Sequence, residues 1–236
     1  MSNKKNIIVT SGGTEEYIDD VRVLTNISTG KLGLKIANTL VNMDSVRVHY
    51  VCSRTAVKPS FYIPPNFLVH EVRTAKDALG KISSIMHENE IHSVIHAMAV
   101  SDFTFDRKSS VKLKSSDPEA FIDYLRDTIT KNPKIISYIK EWNPETILVG
   151  FKFEVGIPLE ELVSLAQASI EKNGCDLVIA NDKEEMIRRD SHVGHFVFSE
   201  DMKKKFNLKD MEVDGKDAIK TNLIHFLMEA LNLKIG

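Results

Sequence analysis

Residues 10–30 read TSGGTEEYIDDVRVLTNISTG, directly after the apolar residues Ile7, Ile8 and Val9. The apolar run predicts a short buried strand over residues 6–9, and Ser-Gly-Gly predicts the turn that ends it. The stretch is rich in glycine and acidic residues, and almost none of its side chains can be buried without partners. It therefore predicts a polar site at the tip of the first strand, for a phosphate, a carboxylate or both.

Strand-like and helical segments alternate along the rest of the chain. Helical spacing begins near Gly30, where Ser28 or Thr29 is the expected N-cap, and Thr74 is the expected cap of the next helix. Further strands are predicted at 46–51, 68–72, 93–98, 146–153, 176–180 and 195–198, and helices at 30–41, 74–88, 133–142, 159–172 and 217–231. This alternation predicts an α/β fold built of βαβ units on a mostly parallel sheet.

Residues 100–116 interrupt the alternation with a Ser-, Lys- and Asp-rich stretch of little periodicity. Such a stretch predicts a linker or a flexible flap, here an insertion around residues 103–118. Lys112 and Lys114 are two residues apart and are expected to face the same side. Lysines on a flap over a triphosphate neutralise charge that moves to the leaving group, whereas a solvated charge run is the structural alternative.

Candidate site residues, most of them polar, fall at the predicted carboxyl ends of strands, where open parallel sheets bind ligands. They are Ser11–Gly13, Asp102, Phe151 and the pair Asn181-Asp182. The glycine-rich turn at 11–13 is a candidate phosphate cradle, because glycine lets the backbone approach an anion. An ordinary tight turn is the alternative reading of the same residues.

Arg22 and Asn26 lie four residues apart in the loop before the first helix. An arginine can fork a carboxylate or phosphate, and an asparagine amide can hold a carbonyl oxygen or an oxyanion. The alternative for Arg22 is a salt bridge to Asp19 or Asp20 that stabilises the loop.

The composition limits the class of protein. The chain has 236 residues, of which 42% are hydrophobic, and we expect a single domain over residues 1–236. A net charge of −2 gives no basic footprint for nucleic acid. The two cysteines form no CxxC or Cys/His cluster, so neither structural zinc nor a disulfide framework is expected. Residues 1–5 resemble no leader and no apolar run approaches about 18 residues, so we expect a reduced, cytoplasmic protein without membrane contact.

Residues 9–33, VTSGGTEEYIDDVRVLTNISTGKLG, resemble the opening signature of the phosphopantothenate–cysteine ligase (phosphopantothenoylcysteine synthetase) family. The resemblance continues in order through HAMAVSDF, VKLK, KNPKII, VGFKFEV and CDLVIANDK, and spans residues 7–182. It implies a Rossmann-like three-layer sandwich. It also implies a ligase of coenzyme A biosynthesis that activates 4′-phosphopantothenate with a nucleoside triphosphate, releases pyrophosphate and joins the acyl group to cysteine.

The resemblance implies roles for individual residues. Asn26 and Lys112 would carry catalysis, Asn26 at the acyl-nucleotidylate and Lys112 on the flap at the triphosphate. The residues implied to contact the substrate are Arg22, Asn26, Met98, Ala99 and Asp102. Those implied to contact the nucleotide are Ser11, Gly12, Gly13, His96, Ala97, Met98, Asp102, Lys112, Pro133, Lys134, Ile135, Ile136, Phe151 and Lys172. No metal ligand is implied by name.

The same resemblance implies Mg²⁺, CTP or alternatively ATP as co-substrate, and a homodimer. Family members are often fused to a flavin-dependent decarboxylase, and this chain is expected to be the free-standing form that pairs with a separate decarboxylase.

Two other function classes stay open from the residues alone. A short-chain NAD(P)-dependent reductase would need a glycine-rich GxGxxG fingerprint and a Tyr-xxx-Lys pair, and no tyrosine here has a lysine four residues on. A non-catalytic nucleotide-binding module would bind nucleotide without releasing pyrophosphate, and Asn26 together with Lys112 argues against it.

Overall fold

A computed structural model describes residues 4–60 and 62–233. Within them the strands are β1 (Lys5–Ser11), β2 (Glu15–Tyr17), β3 (Val23–Thr25), β4 (Val46–Ser53), β5 (Phe67–Val72), β6 (Ile91–His96), β7 (Phe103–Phe105), β8 (Ile129–Lys131), β9 (Ile147–Glu154), β10 (Leu177–Asp182), β11 (Val193–Phe198) and β12 (Met211–Asp214). The helices are α1 (Lys31–Leu40), α2 (Ala75–Glu88), α3 (Pro118–Thr128), α4 (Ile135–Trp142), α5 (Leu159–Asn173), α6 (Lys183–Arg188), α7 (Glu200–Phe206) and α8 (Lys216–Leu231). Two predictions extend outside the described residues. They are the single domain over 1–236 and the expectation that no leader is present, which falls partly on residues 1–3.

Eight strands form the central sheet in the order β12-β11-β10-β9-β6-β1-β4-β5. The six strands from β10 to β5 are parallel, and β11 and β12 extend one edge in antiparallel fashion. Two-stranded sheets β2–β3 and β7–β8 lie apart from it. The predicted Rossmann-like α/β fold with a mostly parallel sheet is confirmed.

Helices cover both faces of the sheet and make three layers. One face packs against α1 and α8, through buried Ile36, Leu40, Leu223 and Leu227. The other packs against α2, α4 and α5, through buried Ile82, Ile139 and Leu162. The central strands of the sheet are buried on both faces. They therefore appear in the sequence as continuous apolar runs rather than as alternating apolar and polar residues.

The start of α1 differs from the prediction. The N-cap is Gly30, with φ of 70° and no side-chain cap, rather than Ser28 or Thr29. A Cβ at Gly30 would lie 2.6 Å from the Ser11 hydroxyl oxygen, so the left-handed conformation and the close approach both require glycine. The Thr74 cap of α2 is confirmed, with a complete capping box to Asp77.

The insertion around 103–118 contains more regular structure than its sequence suggests. β7 pairs with β8 in antiparallel fashion, and α3 lies between them with Asp117 as its N-cap and Pro118 in its first turn. The irregular part is limited to residues 106–117, called the flap below.

The sequence prediction also missed three short elements beyond β10, namely α6, α7 and β12. β12 pairs with β11 in antiparallel fashion, so the strand predicted at 195–198 forms the edge of the sheet together with β12. Within 4–60 and 62–233, no helix is long and apolar enough to cross a bilayer.

Candidate active site

The candidate site lies where β1 and β6 end side by side at the carboxyl edge of the sheet. Beyond the strands, the Ala99 N–H donates to the Gly12 carbonyl oxygen at 2.8 Å, and Gly13 pairs with Ala99 in an isolated parallel bridge. Ala97 and Ala99 are half-buried, whereas the Met98 side chain packs in the core. The predicted phosphate turn and the predicted substrate segment therefore form one surface, to which Met98 contributes backbone.

A buried hydrogen-bond chain supports this surface from below. The Met98 N–H donates to Thr10 Oγ1 at 3.0 Å, and the same oxygen shares a hydrogen bond of 3.1 Å with His96 Nδ1. Burial lowers the pKa of His96 to about 4, so it is neutral at physiological pH. Ser11 is also fully buried, and its hydroxyl donates to the Gly30 carbonyl oxygen at 2.9 Å. Because these side chains are used internally, a phosphate at the turn would be held by backbone N–H groups.

Asn26 lies beside the surface and is exposed. Its Nδ2 donates to the Val100 carbonyl oxygen at 3.1 Å, which ties the loop before α1 to the segment after β6. A Cβ added at Gly13 would lie 2.3 Å from the Asn26 carbonyl oxygen, so this loop approaches the turn as closely as glycine permits. The structure thus brings predicted residues Gly13, Asn26 and Ala99 together.

The acidic residues of the opening stretch attach the β2–β3 hairpin to other parts of the molecule. Glu16 and Asp19 are almost completely buried and Glu15 is 9% exposed, so each needs a donor. The partners are Arg73 for Glu15, the Ala75 N–H and Thr104 hydroxyl for Glu16, the Leu113 N–H for Asp19 and Lys108 for Asp20. The sequence alone predicts no role for Glu15 or Glu16. Their position in a strand-like segment next to the site is the signal that they could be buried, and a buried acid needs a donor.

Arg22 joins this hairpin to the flap. Its Nη1 lies 2.7 Å from Asp19 Oδ2 and donates to the Leu113 carbonyl oxygen at 2.9 Å. Its guanidinium also stacks over the Phe121 ring, 5.4 Å from the centroid. The salt bridge considered as the alternative for Arg22 is therefore present, and its contact with substrate stays a prediction.

The two flap lysines face outward. Lys112 and Lys114 are exposed and flank the half-buried Leu113. Leu113 is attached to the hairpin whose second strand, β3, leads directly to Asn26. The fold thus ties the flap segment that bears Lys112 to the hairpin that leads to Asn26.

Asp102 and Lys134 form an exposed ion pair at the same edge. The Asn132 N–H donates to the Asp102 carbonyl oxygen at 2.9 Å, which holds the segment before α4 against the end of β6. Residues 133–136, predicted to contact nucleotide, therefore begin beside the predicted Asp102 site.

Phe151 and Lys172 are placed very differently. Phe151 is half-buried in β9, next to Gly150, where an added Cβ would lie 3.1 Å from Ile136. Lys172 is exposed in the last turn of α5. Because α5 runs from the carboxyl end of β9 to the amino end of β10, its 15 residues put Lys172 roughly 20 Å from the carboxyl edge. A single chain does not bring Lys172 to the other predicted residues.

The Asn181-Asp182 pair at the end of β10 is used structurally. Asn181 Nδ2 donates to the Val193 carbonyl oxygen. Burial raises the pKa of Asp182, but backbone N–H donors, including that of Glu185 at 2.9 Å, outweigh it and keep the pKa below its usual value. Asp182 also lines a cavity of about 290 Å³ between the ends of β9 and β10.

One further group has metal-ligand chemistry. Donor atoms of Glu185, His195 and Glu212 lie within 4.8 Å of one another, beside β11 and β12. Arg189 already pairs with Glu212, and it pairs with Asp214 at 2.7 Å. Since a guanidinium lies among these acids, we read the group as an ion-pair network.

Several known proteins are similar to this chain. The bifunctional coenzyme A biosynthesis protein CoaBC of Thermococcus kodakarensis is 38% identical over 179 residues, which cover 75% of this chain and 41% of that protein. The chain thus spans about two-fifths of the length of its curated relatives. The crystal structure of the DNA/pantothenate metabolism flavoprotein from Streptococcus pneumoniae matches with a TM-score of 0.78 and 32% identity, covering 96% of this chain and 99% of that one.

A mutant of Cab2 in complex with phosphopantothenate-cysteine matches with a TM-score of 0.71 over 98% of this chain and 88% of that one. At 17% identity, this likeness shows the fold alone. The model of one family, the DNA/pantothenate metabolism flavoprotein C-terminal domain, matches residues 2–229. Since the match covers nearly the whole chain, this protein belongs to the family of DNA/pantothenate metabolism flavoprotein C-terminal domains.

Proposed function

We propose that the chain is a phosphopantothenate–cysteine ligase of coenzyme A biosynthesis. The family membership, the biosynthetic role named for the Thermococcus relative and the resemblance over residues 9–33 all support this assignment. The observation that carries it is the meeting of Gly13, Asn26 and Ala99 at the carboxyl edge of the sheet, in a loop whose preceding hairpin also holds the flap that bears Lys112.

The residue types suit the two steps of the reaction. In the first, a carboxylate oxygen of 4′-phosphopantothenate attacks the α-phosphorus of the nucleotide and pyrophosphate leaves. Both reactants are anions, so Lys112 would reduce their repulsion and neutralise the leaving pyrophosphate. In the second, the cysteine amine attacks the acyl carbon, loses a proton and displaces the nucleoside monophosphate. The Asn26 amide would donate to the oxyanion that forms in this step.

Mg²⁺ is the proposed metal cofactor, with CTP as the proposed co-substrate and ATP as the alternative. Mg²⁺ at phosphate sites uses one or two carboxylates together with substrate phosphates. Asp102 is an exposed carboxylate at this edge next to the segment at 133–136, and it would have to release Lys134, its ion-pair partner, to bind the metal. Bound there, Mg²⁺ would supply charge neutralisation for the triphosphate.

We propose a homodimer that forms through the two small sheets and α3. Large apolar side chains on these elements and the flap are 45–65% exposed, namely Val21, Phe103, Val111, Ile122 and Ile129. Such a patch is typical of an interaction surface. We also propose a cytoplasmic location and functional pairing with a flavin-dependent decarboxylase, since the curated relatives are bifunctional.

The test follows pyrophosphate from the protein with 4′-phosphopantothenate, Mg²⁺ and either CTP or ATP, with and without cysteine. We expect pyrophosphate release with CTP and a cysteine-dependent product. Turnover with ATP instead would keep the reaction and change the nucleotide. No pyrophosphate from either nucleotide would contradict the ligase and leave a nucleotide-binding module.

Asn26→Ala tests the oxyanion role. We expect it to slow cysteine ligation by about a hundredfold, in the range seen when an oxyanion donor is removed. Asn222→Ala removes the same side chain from α8, where it bonds the Ala218 carbonyl oxygen, and serves as the matched control. Ligation by Asn26→Ala at the wild-type rate would show that this role is wrong.

A further inference from the structure

The flap is attached to the rest of the protein at two separate places. Near its start, the Ser109 N–H donates to the Ile18 carbonyl oxygen at 2.9 Å, and Tyr124 Oη lies 2.6 Å from the Arg107 carbonyl oxygen. Farther on, between residues 110 and 116, the hydrogen bonds from the flap to other elements, within the described chain, are those of Leu113 alone. The position of this second half therefore depends on Leu113.

Both backbone groups of Leu113 are held by one ion pair. Its N–H donates to Asp19 Oδ2 at 3.2 Å, and its carbonyl oxygen accepts from Arg22 Nη1 at 2.9 Å. The same Nη1 lies 2.7 Å from Asp19 Oδ2, so the carboxylate orients the guanidinium. Lys112 is the residue immediately before this double attachment.

Asp19 is the fixed member of the pair. Its side chain is fully buried, and its other oxygen, Oδ1, accepts the backbone N–H groups of Val21 and Arg22 at 2.8 and 2.7 Å. Burial raises its pKa, but the bonds from Val21, Arg22 and Leu113 outweigh it, so the pKa lies below its usual value. Asp19 is thus a charged, immobile group on the hairpin.

We propose that Asp19 is a positioning residue for Lys112, because its Oδ2 fixes the Leu113 backbone directly and through Arg22. This inference rests on the proposed function, in which Lys112 meets the triphosphate. The hairpin that carries Asp19 continues through β3 to Asn26, so one continuous segment connects the attachment of Lys112 to the Asn26 loop.

Asp19→Asn keeps the hydrogen bonds of Oδ1 within the hairpin and removes those of Oδ2 to the flap and to Arg22, with almost no change in the shape of the side chain. Its Oδ1 can still accept the Val21 and Arg22 N–H groups, while Nδ2 in place of Oδ2 cannot accept from Leu113 or from the Arg22 side chain. We expect the rate constant kcat/KM for pyrophosphate release to fall by about tenfold or more, since misplacement by about 1 Å is that costly. Asp20→Asn is the matched control, because it removes the same charge from the same hairpin, at an exposed pair with Lys108 near the start of the flap, and leaves both Leu113 bonds in place.

A double-mutant cycle with Lys112→Met separates positioning from a general structural role. If Asp19 acts through Lys112, the Asp19→Asn change has less than about a twofold effect in the Lys112→Met background, because residues that act as a unit are non-additive. Hydrogen exchange of the 110–117 amides should also rise in Asp19→Asn and stay unchanged in Lys112→Met. Asp19→Glu, which keeps the charge and displaces the carboxylate by one methylene, repeats the cycle if Asp19→Asn unfolds at the assay temperature.

The outcomes distinguish this inference from the proposed function. Impaired Lys112→Met with wild-type rates in Asp19→Asn, or equal losses from Asp19→Asn in both backgrounds, would overturn the positioning role and leave the ligase intact. Wild-type pyrophosphate release by Lys112→Met would overturn the role of Lys112, and the role of Asp19 with it.

Discussion

Lowering the pH from 7 to 5 should destabilise the protein through two buried histidines. His49 and His96 are 3% and 8% exposed. The pKa of each is lowered to about 4, for His96 by burial and for His49 by burial together with the neighbouring His70 and Arg47. Both are therefore neutral in the folded protein at pH 5, whereas in the unfolded chain they titrate near 6.5.

The sign and size follow from proton linkage. Below pH 6.5 these two histidines bind protons in the unfolded chain and not in the folded protein. Their contribution to the free energy of unfolding therefore falls as the pH decreases from 6.5 towards 4, and it is constant above that window. At pH 5 the unfolded histidine has gained about 1.5 pKa units of proton binding free energy, or about 2 kcal/mol. His49 and His96 together should lower the free energy of unfolding by about 4 kcal/mol between pH 7 and pH 5.

Urea unfolding at the two pH values measures this loss. His96→Asn keeps a side chain that can donate to or accept from the Thr10 hydroxyl and cannot titrate, so whatever it costs at pH 7, its loss between pH 7 and 5 should be about 2 kcal/mol smaller than that of the wild type. His225→Asn, at an exposed position of α8, is the control. An equal pH dependence in His96→Asn and wild type would refute the assignment of His96 as a buried neutral group.

Further predictions concern a helix cap and the glycine beside Asn26. Thr74→Ala removes the side-chain acceptor of the capping box with Asp77 and should lower the free energy of unfolding by about 1 kcal/mol in urea; no change would show that the cap contributes nothing. Gly13→Ala places a Cβ 2.3 Å from the Asn26 carbonyl oxygen, so cysteine ligation should slow by about tenfold or more. Gly80→Ala, with nothing within 4 Å of the new Cβ, should leave activity unchanged and stabilise α2 by up to about 1 kcal/mol. Wild-type ligation by Gly13→Ala would mean that the Asn26 loop moves without consequence.

The sequence predicts the large elements because their periodicity is produced by burial. β1, β4, β6, β9 and β10 are buried on both faces and appear as apolar runs, so their existence and the α/β class could be predicted. The strands β2, β3, β7 and β8 have three residues each, which is too short for a periodic pattern to reveal them. The cap of α1 was mispredicted for a similar reason, since Gly30 is required by its contact with Ser11 across the fold.

The candidate site could be predicted only where exposed side chains coincide with strand ends. Asn26 and Asp102 lie at the carboxyl edge as the pattern suggests. The buried Ser11 and His96 show that a residue at a strand end can support the site without facing it. Lys172 lies at the opposite edge of the sheet. It was assigned to the site by a motif match, and such a match fixes the position of a residue in the sequence but does not fix its position in the folded chain.

The acids of the opening stretch explain why so polar a segment folds against the sheet. Glu16 accepts from the N-terminus of α2 and from β7, while Asp19 accepts from the flap, so each buried charge is satisfied by an element outside the hairpin. The hairpin is therefore held in place by the elements it helps to position. A change that loosens the flap should consequently be felt at the Asn26 loop through β3, and the hydrogen exchange of residues 23–30 in Asp19→Asn would reveal that coupling.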